Sequence, residues 1–137
     1  MRLVTLSVMI TYLCVLLCGC PNKPSTIQGV VCTSPGVDAS YLTGPIALGE
    51  DDHLITDAHV LLAFDREGSD PVPGCSTKSG LQGEYTIDVQ GIAPPKTSYK
   101  EYYLIVTKRG FQALQSPIAI GPLARSRRNT VVLRKEE

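Results

Sequence analysis

Residues 83–89 set the strongest limit on what this chain can become. Glu84, Thr86 and Asp88 alternate there with Tyr85, Ile87 and Val89. A period of two fits a strand with one buried and one wet face, and fits no helix. Weaker versions of the same pattern recur. Residues 27–32 are β-branched and alternate, with Ile27, Gly29 and Val31 on one face. Residues 57–65 place Ala58, Val60, Leu62 and Phe64 on one side and His59, Leu61, Ala63 and Asp65 on the other. Both sides are partly apolar, as a central strand requires. Residues 102–107 turn Tyr102, Leu104 and Val106 inward, and residues 129–133 form a closing strand. Residues 75–78 and 112–120 supply shorter runs, the second broken by Pro117.

Gly and Pro punctuate these runs. Residues 66–74 and 91–98 are expected as loops, and Lys108-Arg109-Gly110-Phe111 as a tight turn that returns an aromatic to the core. Mid-strand Gly29 implies close approach by another element. Residues 33–56 carry Ser34-Pro35-Gly36, Gly44-Pro45 and Gly49 and are expected as a long irregular insert. No sustained 3.6-residue apolar pattern appears after the first 20 residues. The expectation is an all-β fold, a seven-stranded antiparallel β-sandwich.

The N-terminus is of another kind. One Arg precedes an apolar run over residues 3–17, which ends in Leu17-Cys18-Gly19-Cys20 and gives way to Pro21-Asn22-Lys23-Pro24-Ser25. A charged start, an apolar middle and small residues at the cut have the layout of a secretory signal. The last four resemble the lipobox of bacterial lipoproteins, with cleavage after Gly19 and acylation of Cys20. That implies a signal peptide over residues 1–19, a lipidated cysteine and tether over 20–25, and a folded domain over 26–137. It also implies a cell-envelope protein held to a membrane by several acyl chains, since one alone binds marginally. Pro21 stands where an Asp would resemble an inner-membrane retention signal, which favours the outer membrane. An uncleaved anchor is the alternative; the short run and polar flank favour cleavage. Removing 19 of 137 residues leaves 118, enough to bury one core.

Five cysteines then reduce to two in the domain, Cys32 and Cys75. An exported protein allows a disulfide between them, closing a loop of about 43 residues for roughly 4 kcal/mol in the chain-entropy model. Free thiols are the other reading, and the sequence leaves both open. Charge is uneven: residues 21–90 hold 10 acids and 3 bases, residues 91–137 hold 9 bases and 3 acids. Sheet strands interleave, so this favours a mixed solvated surface. Trp is absent, and with few aromatics no nucleic-acid stacking platform is expected.

The order of signals is itself informative: Ile27-x-Gly29-x-Val31, Asp57-Ala58-His59-Val60, Thr77, Gly83-x-Tyr85-x-Ile87, Leu104-x-Val106 with Gly110-Phe111, and Val131-Val132-Leu133. This resembles the carboxypeptidase regulatory-like domain, a transthyretin-like (prealbumin-like) β-sandwich, over roughly residues 26–133. The resemblance implies a fold and no chemistry, and the insert at 33–56 departs from it. Related families with known chemistry differ at the residues that matter. Hydroxyisourate hydrolases end in Tyr-Arg-Gly-Ser, whereas this chain ends Leu-Arg-Lys-Glu-Glu. Isopeptide-forming sandwiches need a first-strand Lys, and residues 26–33 have none, which leaves Asn129 without that partner. Starch-binding sandwiches use exposed Trp.

The remaining polar clusters favour no site. Glu50-Asp51-Asp52-His53 is acidic, but consecutive acids diverge where calcium loops alternate, so a solvated turn is expected. His53 and His59 lack the companions that zinc needs. Cys32 or Cys75 with a histidine base is formally a nucleophile pair, but neither sits in a local signature, and strand cysteines are usually inert. Arg125-Ser126-Arg127-Arg128 is a basic turn that suits solvent or anionic headgroups. No metal, no cofactor and no catalytic residue is expected. The expected partners are the membrane through its lipid anchor and an envelope protein or polysaccharide, with no nucleic acid. The alternative is a small carbohydrate- or calcium-dependent binding protein that uses the acidic insert, and a hydrolase ranks below both.

Overall fold

A computed structural model describes residues 26–44, 48–92, 101–118, 120 and 128–137. The Leu17–Cys20 box and Arg125, Ser126 and Arg127 lie outside these residues. The described chain is all-β: β1 (Thr26–Thr33), β2 (Ser40–Thr43), β3 (His53–Leu54), β4 (His59–Ala63), β5 (Pro71–Lys78), β6 (Glu84–Asp88), β7 (Tyr102–Thr107), β8 (Leu114–Ile118) and β9 (Arg128–Val132). Among the described residues no helix is long and apolar enough to cross a membrane.

The strands form two sheets. Sheet one runs β2-β9-β1, and the far edge of β1 is shared by β6 and β3. Sheet two runs β5-β4-β7-β8. Every pairing is antiparallel except β1 with β9, where Gly29 stands opposite Asn129 and Val31 opposite Val131 in parallel. That pair departs from the all-antiparallel expectation. A parallel pair needs a long connection, and here the chain between its members includes the whole of sheet two.

Among the described residues there are nine strands where seven are expected. The two additions, β2 and β3, both fall inside residues 33–56, so that stretch is not wholly irregular. Both are short and poorly buried. A strand without a buried face has no reason to alternate, so its sequence carries no period-two signal.

Period two does mark the interior faces. Ile27 and Val31 of β1, Tyr85 and Ile87 of β6, and Val131 of β9 meet Val60 and Leu62 of β4 and Leu104 and Val106 of β7 in one apolar cluster. Phe111 returns from its turn and packs against this cluster. The Phe64 and Tyr102 rings meet at 5.9 Å between centroids.

β5 reaches further back than its expected start at Cys75. Leu61 faces Ser76, yet Ala63 faces Pro71, so the register shifts between them. Gly74, at φ 75°, accommodates the bulge. The bulge lets both Val72 and Cys75 turn inward, although three positions separate them. Because β5 is an edge strand, it tolerates Pro71 and Pro73.

The loop after β4 folds over part of the outer face of sheet two, at Tyr103 and Ile105. Asp65 is buried, and its carboxylate accepts hydrogen bonds from Ser69 Oγ at 2.5 Å, Ser69 N at 3.1 Å and Asp70 N at 2.8 Å. The braced loop brings Gly68 so close to Ile105 that a Cβ there would lie 2.7 Å from Ile105 Cδ1. It also sets the Arg66 guanidinium 5.9 Å from the Tyr103 ring centroid.

These bonds, led by the Ser69 hydroxyl, hold the Asp65 carboxyl below its usual value of 3.8. A carboxyl whose folded pKa is depressed stabilises the fold above its unfolded pKa, and this contribution disappears as pH falls through the folded value. Asp65→Asn should therefore lower the denaturation midpoint at neutral pH. The gap between wild type and variant should stay constant down to about pH 4 and close below it. A gap that does not change with pH, followed by urea denaturation from pH 7 to pH 2, would show that the carboxylate charge is not what braces the loop.

The crossing from β5 to β6 is fixed by backbone bonds. Gly80 N donates to Glu84 O at 2.8 Å, Gly83 N to Gly80 O at 3.0 Å, and Val31 N to Gly83 O at 2.8 Å. On the other side of the crossing, buried Ser79 donates through Oγ to Ile55 O at 2.7 Å and accepts from Ala58 N at 2.8 Å. This pair of bonds holds the connection between β3 and β4, where Asp57 adopts a φ of 60°.

Candidate functional site

The outward face of sheet one is built in rows. In one row Arg128 of β9 and Thr86 of β6 flank Gln28 of β1. In the next, Thr130 and Glu84 flank Val30, and Leu42 of β2 extends the row beyond Thr130. Alternation puts these side chains opposite the core, because their neighbours Ile27, Tyr85 and Val131 point inward. A cleft of about 450 Å³ lies over the rows, with Leu48 and Gln82 completing its walls. Its floor offers an amide, the Thr86 hydroxyl, a guanidinium and a carboxylate beside the apolar Val30 and Leu48, while Thr130 is buried and its hydroxyl donates to Gly44 O at 3.1 Å. Glu84 is partly committed already, since it accepts a bond from Gln82 N at 2.8 Å. Arg128, Thr130, Gln28 and Thr86 were not singled out as a group from the sequence. Only strand register brings them together.

A second cleft, about 520 Å³, lies at the end of sheet one between residues 33–38, His53 and residues 134–137. Asp38 and Arg134 are joined there by an ion pair of 2.7 Å. Both partners are largely exposed, so the pair contributes little to stability.

The two cysteines are buried as free thiols, and the bridge considered from the sequence is not formed. Strand geometry gives the reason. Val31 and Cys32 are neighbours on β1 and face opposite sides of sheet one; Val31 lies in the core, so Cys32 looks outward. Cys75 lies between the sheets, with Sγ 3.5 Å from Asp88 O. One thiol is thus inside the core and the other beyond sheet one. Burial raises both thiol pKa values, aided by Asp52 at Cys32 and by Asp88 at Cys75. Neither is poised as a thiolate at neutral pH.

The acidic run behaves as a turn closed on itself. Asp52 Oδ2 accepts from Gly49 N at 2.7 Å, and Asp52 N donates to Gly49 O at 3.2 Å. A bond to the Ser34 side chain, then the one from Gly49, lowers the Asp52 pKa. His53 lies on β3 in sheet one and His59 on β4 in sheet two, so the two do not share a site. Among the described residues no three His, Cys, Asp or Glu side chains converge in a way that holds a metal ion.

No protein-family model, curated protein or solved structure matches the chain.

Proposed function

We propose that this chain is a lipid-anchored cell-envelope module that works by contact rather than catalysis. Cleavage after Gly19 frees Cys20 for acylation, residues 21–25 hold the domain off the bilayer, and the domain presents its surface to an envelope protein or polysaccharide. Pro21 behind the cysteine favours the outer membrane. In this reading the two sheets form a β-sandwich of the transthyretin-like, carboxypeptidase regulatory-like kind. The shared core and the row Gly29–Tyr85 at its centre support it, and β2 and β3 are additions contributed by the insert.

One observation carries the non-catalytic part. Several side chains suited to chemistry are engaged in holding the fold: Asp65 and Asp52 brace their own loops, Ser79 joins two connections, and the thiols of Cys32 and Cys75 are buried, while His53 and His59 are exposed on different sheets. The row-built face of sheet one presents Gln28, Glu84, Thr86 and Arg128 along a groove.

The anchor is tested directly. Cys20→Ser should abolish incorporation of labelled fatty acid in bacteria, leave the precursor uncleaved, and keep the domain out of the detergent-extracted lipoprotein fraction. Unchanged acyl labelling in the variant would sink the anchor and, with it, the envelope assignment.

A further inference from the structure

Behind the cleft, on the core side of sheet one, Tyr85 of β6 and Asn129 of β9 stand on either side of Gly29. Both residues are buried, at 3% and 5% exposure. Among the described residues Tyr85 Oη and Asn129 Oδ1 have no hydrogen-bond partner. A Cβ on Gly29 would lie 2.6 Å from Tyr85 Oη and 2.5 Å from the Asn129 carbonyl oxygen, so the phenol tip reaches across β1 toward β9. One of these buried atoms is a hydroxyl that can donate, and the other is an amide oxygen that can only accept. Two orphans of complementary type on one row are hard to reconcile with a dry core. Each would carry the full desolvation cost of its group, and native interiors meet that demand with ordered water.

We propose that Tyr85 Oη and Asn129 Oδ1 bind one buried water molecule, which joins β6 to β9 across the glycine of β1. The hydroxyl donates to the water oxygen, and the water donates one hydrogen to Asn129 Oδ1. Its second hydrogen is left for a neighbouring acceptor. This differs from an apolar contact because it makes Tyr85 and Asn129 depend on each other. Gly29 is the residue that permits it, since any side chain there would occupy the path between them.

The test is a double-mutant cycle on the purified full chain, followed by urea denaturation and read as the unfolding equilibrium constant. Tyr85→Phe keeps the ring and removes the hydroxyl; it should raise that constant about tenfold, the scale of a lost buried hydrogen bond. In an Asn129→Leu background the same change should have little effect, because the water has already lost a partner. A high-resolution crystal structure of the wild type should show a single density peak within hydrogen-bond distance of both atoms. A neutral or stabilising Tyr85→Phe, an equal cost in both backgrounds, or a direct bond between Oη and Oδ1 in the crystal would each overturn the proposal. If Asn129→Leu fails to fold, Asn129→Ala serves in the cycle, and the crystal still decides.

Discussion

Replacing Tyr85 by alanine should destabilise the domain by about 4 kcal/mol, within the range for truncating a buried aromatic. Tyr85 is almost fully buried and belongs to the cluster shared by both sheets. Its ring lies against the backbone at Gly29, where a Cβ would be 2.8 Å from Cε1. Alanine leaves a void beside Gly29, which has no side chain to fill it. A small domain has only about 5–15 kcal/mol in total, so the thermal midpoint should fall by more than about 15 °C. Thr86→Ala, one position along on the outward face, should change stability by less than about 0.5 kcal/mol. Urea denaturation of the pair checks the register directly. Equal effects at 85 and 86 would mean that β6 does not present alternate residues to the core.

That contrast is also where the sequence was most legible. Residues 84–89 announce their inward set because each apolar side chain is buried and each polar one is wet. The same logic located β1, β4 and β7, and it read the close approach at Gly29 from a glycine in mid-strand. It missed whatever does not depend on alternation. Pro71, Pro73 and Gly74 made the first half of β5 look like a loop, because a bulged edge strand can hold residues that a central strand cannot. β2 and β3 bury too little to leave a pattern. The parallel union of β1 with β9 could not be inferred, since alternation says which face is buried and nothing about which strand lies alongside.

The same limit explains the cleft and the thiols. Gln28, Thr86, Arg128 and Thr130 each read as an ordinary outward residue, and they become one surface only through the register of three strands distant in sequence. Cys32 and Cys75 looked like a natural pair by count and compartment. Their incompatibility follows from parity: Cys32 is one residue from inward Val31, while the bulge turns Cys75 into the core. Parity at Cys32 was available from the sequence. The inward turn at Cys75 depended on the bulge, so the conflict was not.

Gly29→Val should cost about 3 kcal/mol, at the upper end of what overpacking does. Elsewhere in a strand this substitution would help, because glycine is entropically unfavourable there and valine favours extended backbone. Here the sign is set by space. A Cβ would sit 2.5 Å from the Asn129 carbonyl oxygen, which belongs to the paired backbone of β9, and 2.8 Å from the Tyr85 ring. The ring can swing away at the expense of its packing, but the carbonyl can move only if β9 shifts along β1. Gly29→Ala should therefore also destabilise, by a smaller amount, despite the gain in unfolded-state entropy that usually rewards the change. In a Tyr85→Ala background the alanine at 29 should cost less, since one obstacle is gone, yet it should not become favourable while the Asn129 carbonyl remains. Denaturation of the four proteins measures that coupling. A stabilising Gly29→Ala in the wild-type background would mean that β9 does not lie beside β1 in this register, and the rows that build the outer cleft would have to be redrawn with it.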